Sequence, residues 1–228
     1  LGGGIKVDWV ITDVPYGIKA DNFMSKKGGQ QCGEAKAKHR FYEETNWDSE
    51  RIGSTYFELM QKCSDNQLIF GGSYYTDILP PTKGWVVWDK RLPSKADRND
   101  YGDCELAWCS KGVARVFNYM YNGMLQDDRQ HKDNRFHPTQ KPTQLWSMLL
   151  NFYTKEGDTI LDPFAGSQSL RIACYRLNRH YIGCEIDKNY FELGNKWFAE
   201  ESSKPKYKIS KLDLEKHNLS VKKLTKLQ

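Results

Sequence analysis

The chain has 228 residues, with 34 Lys and Arg against 29 Asp and Glu for a net charge of +5, and it is 39% hydrophobic and 13% aromatic. That is enough apolar material for one domain with its own core, and too much for disorder throughout. The mild basic excess suits a polyanionic partner, and the lack of any apolar run near ~18 residues argues against a membrane-spanning helix.

Residues 6–12 read as the first strand, because Trp9-Val10-Ile11 is an apolar run of the kind buried in a parallel sheet. The run leads into Asp13-Val14-Pro15-Tyr16-Gly17. Open α/β sheets bind ligands just past the carboxyl ends of their strands. A carboxylate and an aromatic ring at that point suit a flat molecule carrying an amino group, such as a nucleic-acid base. Residues 18–48 are polar and carry Lys19, Lys26, Lys27, Lys36, Lys38, His39 and Arg40. A loop this long in a compact domain is expected to be functional, and it reads as a mobile cover that touches a phosphate backbone.

Residues 54–64 follow as a helix, with Tyr56, Leu59, Met60 and Cys63 as its apolar stripe. A short strand over 67–71 precedes Tyr74 and Tyr75, candidates to line a base pocket, with at least one of them expected in the core instead. After the break at Pro80-Pro81, residues 84–89 form a strand rich in Trp and Val. Residues 105–109 and 115–121 read as a hairpin closed by Ser110-Lys111-Gly112. The segment around 91–136 is otherwise basic and irregular.

The last part of the chain alternates regularly. A helix over 143–153 starts after Pro142 and carries Leu145, Met148, Leu149 and Phe152. A strand over 159–162, a helix over 168–177 stopped at Asn178, a strand over 181–185 and a helix over 188–199 with Tyr190, Leu193 and Trp197 complete an α/β pattern. Residues 201–228 form a basic tail, with eight lysines from Lys204 to Lys226. The six cysteines include no Cys-x-x-Cys pair. No metal site is therefore expected, and the thiols read as reduced and mostly buried, in a cytoplasmic protein without a secretory signal.

Three segments share one resemblance. Asp13-Val14-Pro15-Tyr16 resembles the Asp-Pro-Pro-Tyr motif of the DNA amino-methyltransferases. His137-Pro138-Thr139-Gln140-Lys141-Pro142 looks like that family's His-Pro-x-x-Lys-Pro segment, and Asp162-Pro163-Phe164-Ala165-Gly166-Ser167-Gln168-Ser169 like its cofactor loop. Glu185 supplies the acid expected after the next strand. The catalytic motif comes first and the cofactor loop last, as in the permuted β-group of the family.

The resemblance implies a Rossmann-like, S-adenosylmethionine-dependent methyltransferase fold, with a mostly parallel sheet and helices on both faces. It implies a single catalytic domain over 1–200, in which 18–48 is the mobile loop and about 91–136 the target-recognition insertion. The implied activity is site-specific methylation of adenine N6 in DNA after base flipping, alongside a restriction-modification system. The alternatives are a cytosine-N4 DNA methyltransferase and a catalytically weak or inactive nucleic-acid-binding subunit. S-adenosylmethionine is the implied cofactor. DNA is the implied partner, no membrane is, and the assembly expected is a homodimer or a heterodimer with a related subunit.

Residue by residue, Asp13, Val14, Pro15 and Tyr16 would be catalytic. Asp162, Phe164, Gly166, Ser167 and Gln168 would line the cofactor, with Lys141 at its methionine part and Glu185 at its ribose; His137 would be structural. Two residues depart from the family pattern. Val14 replaces a proline that would restrict Asp13, and Gln168 replaces a glycine, which predicts strain if the position needs positive φ. Family members also carry chain ahead of the first strand with an acid near the cofactor's adenine; here Leu1 to Gly4 reads as a scar or a cut end.

Overall fold

The computed structural model describes residues 4–20, 46–91, 102–122, 125–126 and 132–204. The strands are β1 (Trp9–Asp13), β2 (Gln67–Phe70), β3 (Gly84–Asp89), β4 (Cys104–Cys109), β5 (Arg115–Asn118), β6 (Tyr121–Asn122), β7 (Leu125–Gln126), β8 (Thr159–Asp162) and β9 (His180–Gly183). The helices are α1 (Ser54–Cys63), α2 (Thr143–Tyr153), α3 (Ser169–Arg176) and α4 (Lys188–Ser202). Seven strands form one sheet in the order β5-β3-β4-β2-β1-β8-β9, and β6 and β7 pair separately. Every contact between neighbours in the large sheet is parallel except those of β4, which runs antiparallel to both β2 and β3.

Alternation along the strands divides the core. Trp9, Ile11, Leu68 and Phe70 face the side covered by α2 and α3, where Leu145, Met148, Leu149, Leu170 and Ala173 are buried. Val10 and Ile69 face the side covered by α1, with Phe57, Met60, Tyr75 and Trp108. The side-chain period of two in a strand makes this division compulsory once both faces are covered. The expected α/β architecture with helices on both faces is what the chain adopts.

Several local expectations are corrected. The segments 105–109 and 115–121 are not a hairpin: β4 lies between β2 and β3, while β5 pairs in parallel with β3 at the sheet edge. The turn signal at Gly112, which has φ of +82°, is real. The buried β3 nevertheless offers both segments a better partner than they offer each other. The second strand also ends at Asn118. In α1 the buried residues are Phe57 and Met60, while Tyr56 is exposed. Among the cysteines, Cys109 and Cys174 are buried and Cys63 is half-buried, but Cys104 and Cys184 are exposed. Most of the expected cover over 18–48, parts of the insertion over 91–136 and the tail from 205 onward lie outside the described residues. No helix among the described residues is long and apolar enough to cross a membrane.

Candidate active site

From β1 the chain passes to β2 on one side of the sheet through α1, whereas β8 and β9, on the other side, are joined through α3 on the opposite face. The crevice between the carboxyl ends of β1 and β8 is thus a topological switch point, the place where such sheets bind ligands. Asp13 ends β1 and Asp162 ends β8. The two loops that follow share the wall of one cavity of about 520 Å³, a size typical of small-molecule sites.

Asp13, Val14, Pro15 and Tyr16 all line this cavity. The Tyr16 hydroxyl donates to Asp13 Oδ1 at 2.9 Å, and Lys141 Nζ donates to Asp13 Oδ2 at 2.6 Å. The Tyr16 ring stacks on Tyr74, with centroids 4.8 Å apart and planes at 21°. Gly71 makes room for that ring: a Cβ at Gly71 would lie 2.1 Å from Tyr16 Cε1. Tyr75 is fully buried, and its hydroxyl donates to the Pro15 carbonyl. Neither Tyr74 nor Tyr75 lines the cavity. Val14, which stands where the family has proline, is 2% exposed and packs with Val10, Phe57 and Ile69. Its side chain is a core contact.

Lys141 is buried and meets two carboxylates, Asp13 at 2.6 Å and Glu105 at 3.0 Å; Glu105 is in turn paired with Lys90 at 3.2 Å. Burial alone would lower the Lys141 ammonium, but Asp13 and Glu105 outweigh it and hold the group above its ordinary value. Burial raises the Asp13 carboxyl; Lys141 opposes that rise and Glu105 reinforces it. Glu105 is held below the usual range because Lys141 and Lys90 together overcome its burial.

On the β8 side, Asp162 spends its oxygens on the protein. Thr12 Oγ1 donates to Oδ1 at 2.7 Å and the Tyr181 hydroxyl to Oδ2 at 3.1 Å. Burial pushes this carboxyl up to about 7. Phe164, Gly166, Ser167 and Glu185 line the cavity with Asp162 and Lys141. Gly166 adopts φ of +50°, and its N–H donates to Glu185 Oε2 at 2.6 Å, tying the loop to the end of β9. Gln168 is placed differently from the other expected cofactor residues. It does have positive φ, at +60°. Its side chain points away from the cavity, donating to the Phe191 carbonyl at 3.1 Å and accepting from Arg171 at 2.7 Å. Gly194 on α4 makes that position available, since a Cβ there would come within 2.6 Å of the Gln168 amide. His137 is buried over Gly166, 3.6 Å from where a Cβ would sit, and burial lowers its imidazole to about 3.

Sequence reasoning missed four residues here. Asp48 is 1% exposed and accepts three backbone N–H groups, from Tyr16 at 2.6 Å, Gly17 at 2.8 Å and Ala20 at 2.8 Å. It thereby holds the loop after β1 from outside the motif. Trp47 lines the cavity and lies 5.3 Å from His137, and its indole N–H is buried with no hydrogen-bond partner among the described residues. Glu105 and Lys90 complete the charge cluster. Of the four, only Glu105 had a usable signal, an acid inside the apolar run Cys104-Glu105-Leu106-Ala107-Trp108.

A family profile described as DNA methylase matches residues 80–196. The type II methyltransferase M2.MboI of Moraxella bovis is 34% identical over 227 residues, covering 85% of this chain and 81% of that protein. The type II methyltransferase M.HpaI of Haemophilus parainfluenzae is 42% identical over 71 residues, which are 31% of this chain and only 23% of M.HpaI. Among solved structures, the complex of M1.HpyAVI with SAM matches with a TM-score of 0.50 and 27% identity, covering 85% of this chain and 89% of the other.

Proposed function

The chain belongs to the DNA methylase family of N6/N4 methyltransferases, and from that premise we propose that it transfers a methyl group from S-adenosylmethionine to the exocyclic N6 of adenine in DNA. The observation that carries this reading is the shared cavity: Asp13 to Tyr16 on one wall and Phe164 to Ser167 on the other. The residues present suit the cofactor. Phe164, Tyr56 and Ile52 offer apolar surface to an adenine ring, and Glu185 offers a carboxylate to ribose hydroxyls. The indole N–H of Trp47, unpartnered among the described residues, offers a donor to the amino-acid carboxylate. When bound, the cofactor supplies a methyl on a sulfonium, which is strongly electrophilic.

The protein's task is then position and polarisation. An exocyclic amine is a poor nucleophile because its lone pair is delocalised into the ring. A carboxylate has about four acceptor sites. Tyr16 and Lys141 occupy one on each oxygen of Asp13, so Asp13 can still accept one N–H of the amine while the Val14 carbonyl accepts the other. Together they favour a tetrahedral nitrogen whose lone pair faces the methyl. The nitrogen afterwards sheds one proton, for which the Asp13 carboxylate is the adjacent acceptor. A duplex target must first be flipped out, and stacking on Tyr16, worth about 1–3 kcal/mol, offsets part of that cost. Of the two departures from the family pattern, Val14 packs its side chain in the core, and Gln168 turns its side chain toward α4. We read the segment around 91–136 as the target-recognition region and DNA as the partner.

The test uses purified protein, S-adenosylmethionine and unmethylated genomic DNA, followed by nucleoside mass spectrometry. N6-methyladenine is expected, and absent with Asp13→Ala. N4-methylcytosine would keep the mechanism and overturn the choice of base; no methylated base at high protein would refute the reading.

A further inference from the structure

Beyond the motif residues, a second pair of charges reaches the catalytic carboxylate. Lys141 Nζ stands between Asp13 at 2.6 Å and Glu105 at 3.0 Å, and Glu105 uses its other oxygen for Lys90 at 3.2 Å. Glu105 comes from β4 and Lys90 from the end of β3, strands on the far side of β2 from the catalytic loop. Lys141 also lies 5.3 Å from the Phe70 ring centroid, so its ammonium is fixed from below as well as from both sides. We infer that Glu105 and Lys90 are positioning residues for methyl transfer, holding Lys141 on Asp13 and setting by their charge how readily Asp13 stays ionised. The inference rests on the proposed function for its meaning, but the charge coupling is a property of the folded chain alone.

The physical argument is one of alternating charge. A buried cation next to a single carboxylate would bind it as tightly as geometry allows and would draw down its ability to accept a proton. A second carboxylate on the same ammonium divides that attraction, and Lys90 on the outer oxygen of Glu105 limits how far the division goes. The groups facing Asp13 are Lys141 before α2, Glu105 on β4, Tyr16 on its own loop and Asp162 on β8. Of these, among the described residues, Glu105 alone has a further cation partner, Lys90, which makes it the adjustable member.

The opposite signs of the pair make it testable. Aspartate labelled with carbon-13 at the side-chain carboxyl would be incorporated, and the Asp13 resonance, assigned by its loss in Asp13→Asn, titrated in the wild type, Glu105→Gln and Lys90→Met. Glu105→Gln should lower the Asp13 midpoint and Lys90→Met should raise it, each by at least about half a unit. Lys90→Arg should leave it in place. In the methylation assay Glu105→Gln should lower kcat about tenfold. Binding of S-adenosylmethionine by equilibrium dialysis should change less than about twofold. Shifts of the same sign in both variants, or no shift in folded protein, would overturn the inference. So would a loss of cofactor binding equal to the loss of kcat. A wild-type protein that transfers no methyl would refute the proposed function and leave the titration to decide the charge coupling by itself.

Discussion

Replacing Gly71 by alanine tests whether the position of Tyr16 sets the rate. The new Cβ would lie 2.1 Å from Tyr16 Cε1 and 2.4 Å from Cδ1, where ordinary contact starts at 3.4 Å. The ring must therefore retreat by about 1.3 Å, because the pressing atom is fixed to backbone. Gly71 also has φ of +77°, a conformation that costs an L-residue about 1–2 kcal/mol. The displacement breaks the 2.9 Å bond from the Tyr16 hydroxyl to Asp13 and disturbs the stack on Tyr74. A misplacement of this size is worth about a hundredfold in rate, or ~2.7 kcal/mol of barrier. The assay is single-turnover methyl transfer with a thermal melt alongside, on Gly71→Ala, Tyr16→Ala and the double variant. Gly71→Ala should be slow but folded. The double variant should be no slower than Tyr16→Ala, because the three atoms nearest the new Cβ all belong to the Tyr16 ring and are then gone. A folded Gly71→Ala with wild-type kcat, or losses that add in the double variant, would refute the reasoning.

Lys141→Met should leave Asp13 and Glu105 without their shared cation, costing about 3–5 kcal/mol in urea unfolding and nearly all of kcat. If instead stability holds and only cofactor affinity falls, Lys141 serves the cofactor as its motif suggests. Trp47→Phe should raise the Kd for S-adenosylmethionine about tenfold and leave Tm alone, since the lost N–H has no hydrogen-bond partner among the described residues. A lower Tm with unchanged Kd would show a structural role. Stability against pH should reveal two opposed groups. Asp162, raised to about 7, binds a proton in the folded state that the unfolded chain has released, so its contribution declines as pH rises from about 4 to 7. His137, lowered to about 3, stays neutral where the unfolded chain is protonated, so its contribution declines as pH falls below about 6.5. Between pH 4 and 6.5 the two slopes, each up to about 1.4 kcal/mol per pH unit, cancel. Relative to the wild type, Asp162→Asn should therefore gain stability with rising pH across that window and His137→Asn should lose it; parallel curves would count against both assignments.

What the sequence by itself determined was local. The apolar run ending at Asp13, the strand before Asp162 and the stripes at Leu145, Met148 and Leu149 follow from neighbours a few residues apart. Strands and helices encode themselves in periods of 2 and 3.6. The three family-like segments were legible for the same reason, each being a short contiguous stretch. Only the tertiary structure decided who stands beside whom. The strand β4 enters between β2 and β3 instead of pairing with β5, and that insertion alone brings Glu105 to Lys141. Asp48 reaches Tyr16 across 32 positions, and Lys141 reaches Asp13 across 128. Gln168, though held at positive φ, finds room for its side chain because Gly194, on another helix, carries none. Periodicity records which face of an element is buried. It carries no record of the distant residue that will meet it there, because that pairing is chosen by the burial of whole faces against one another.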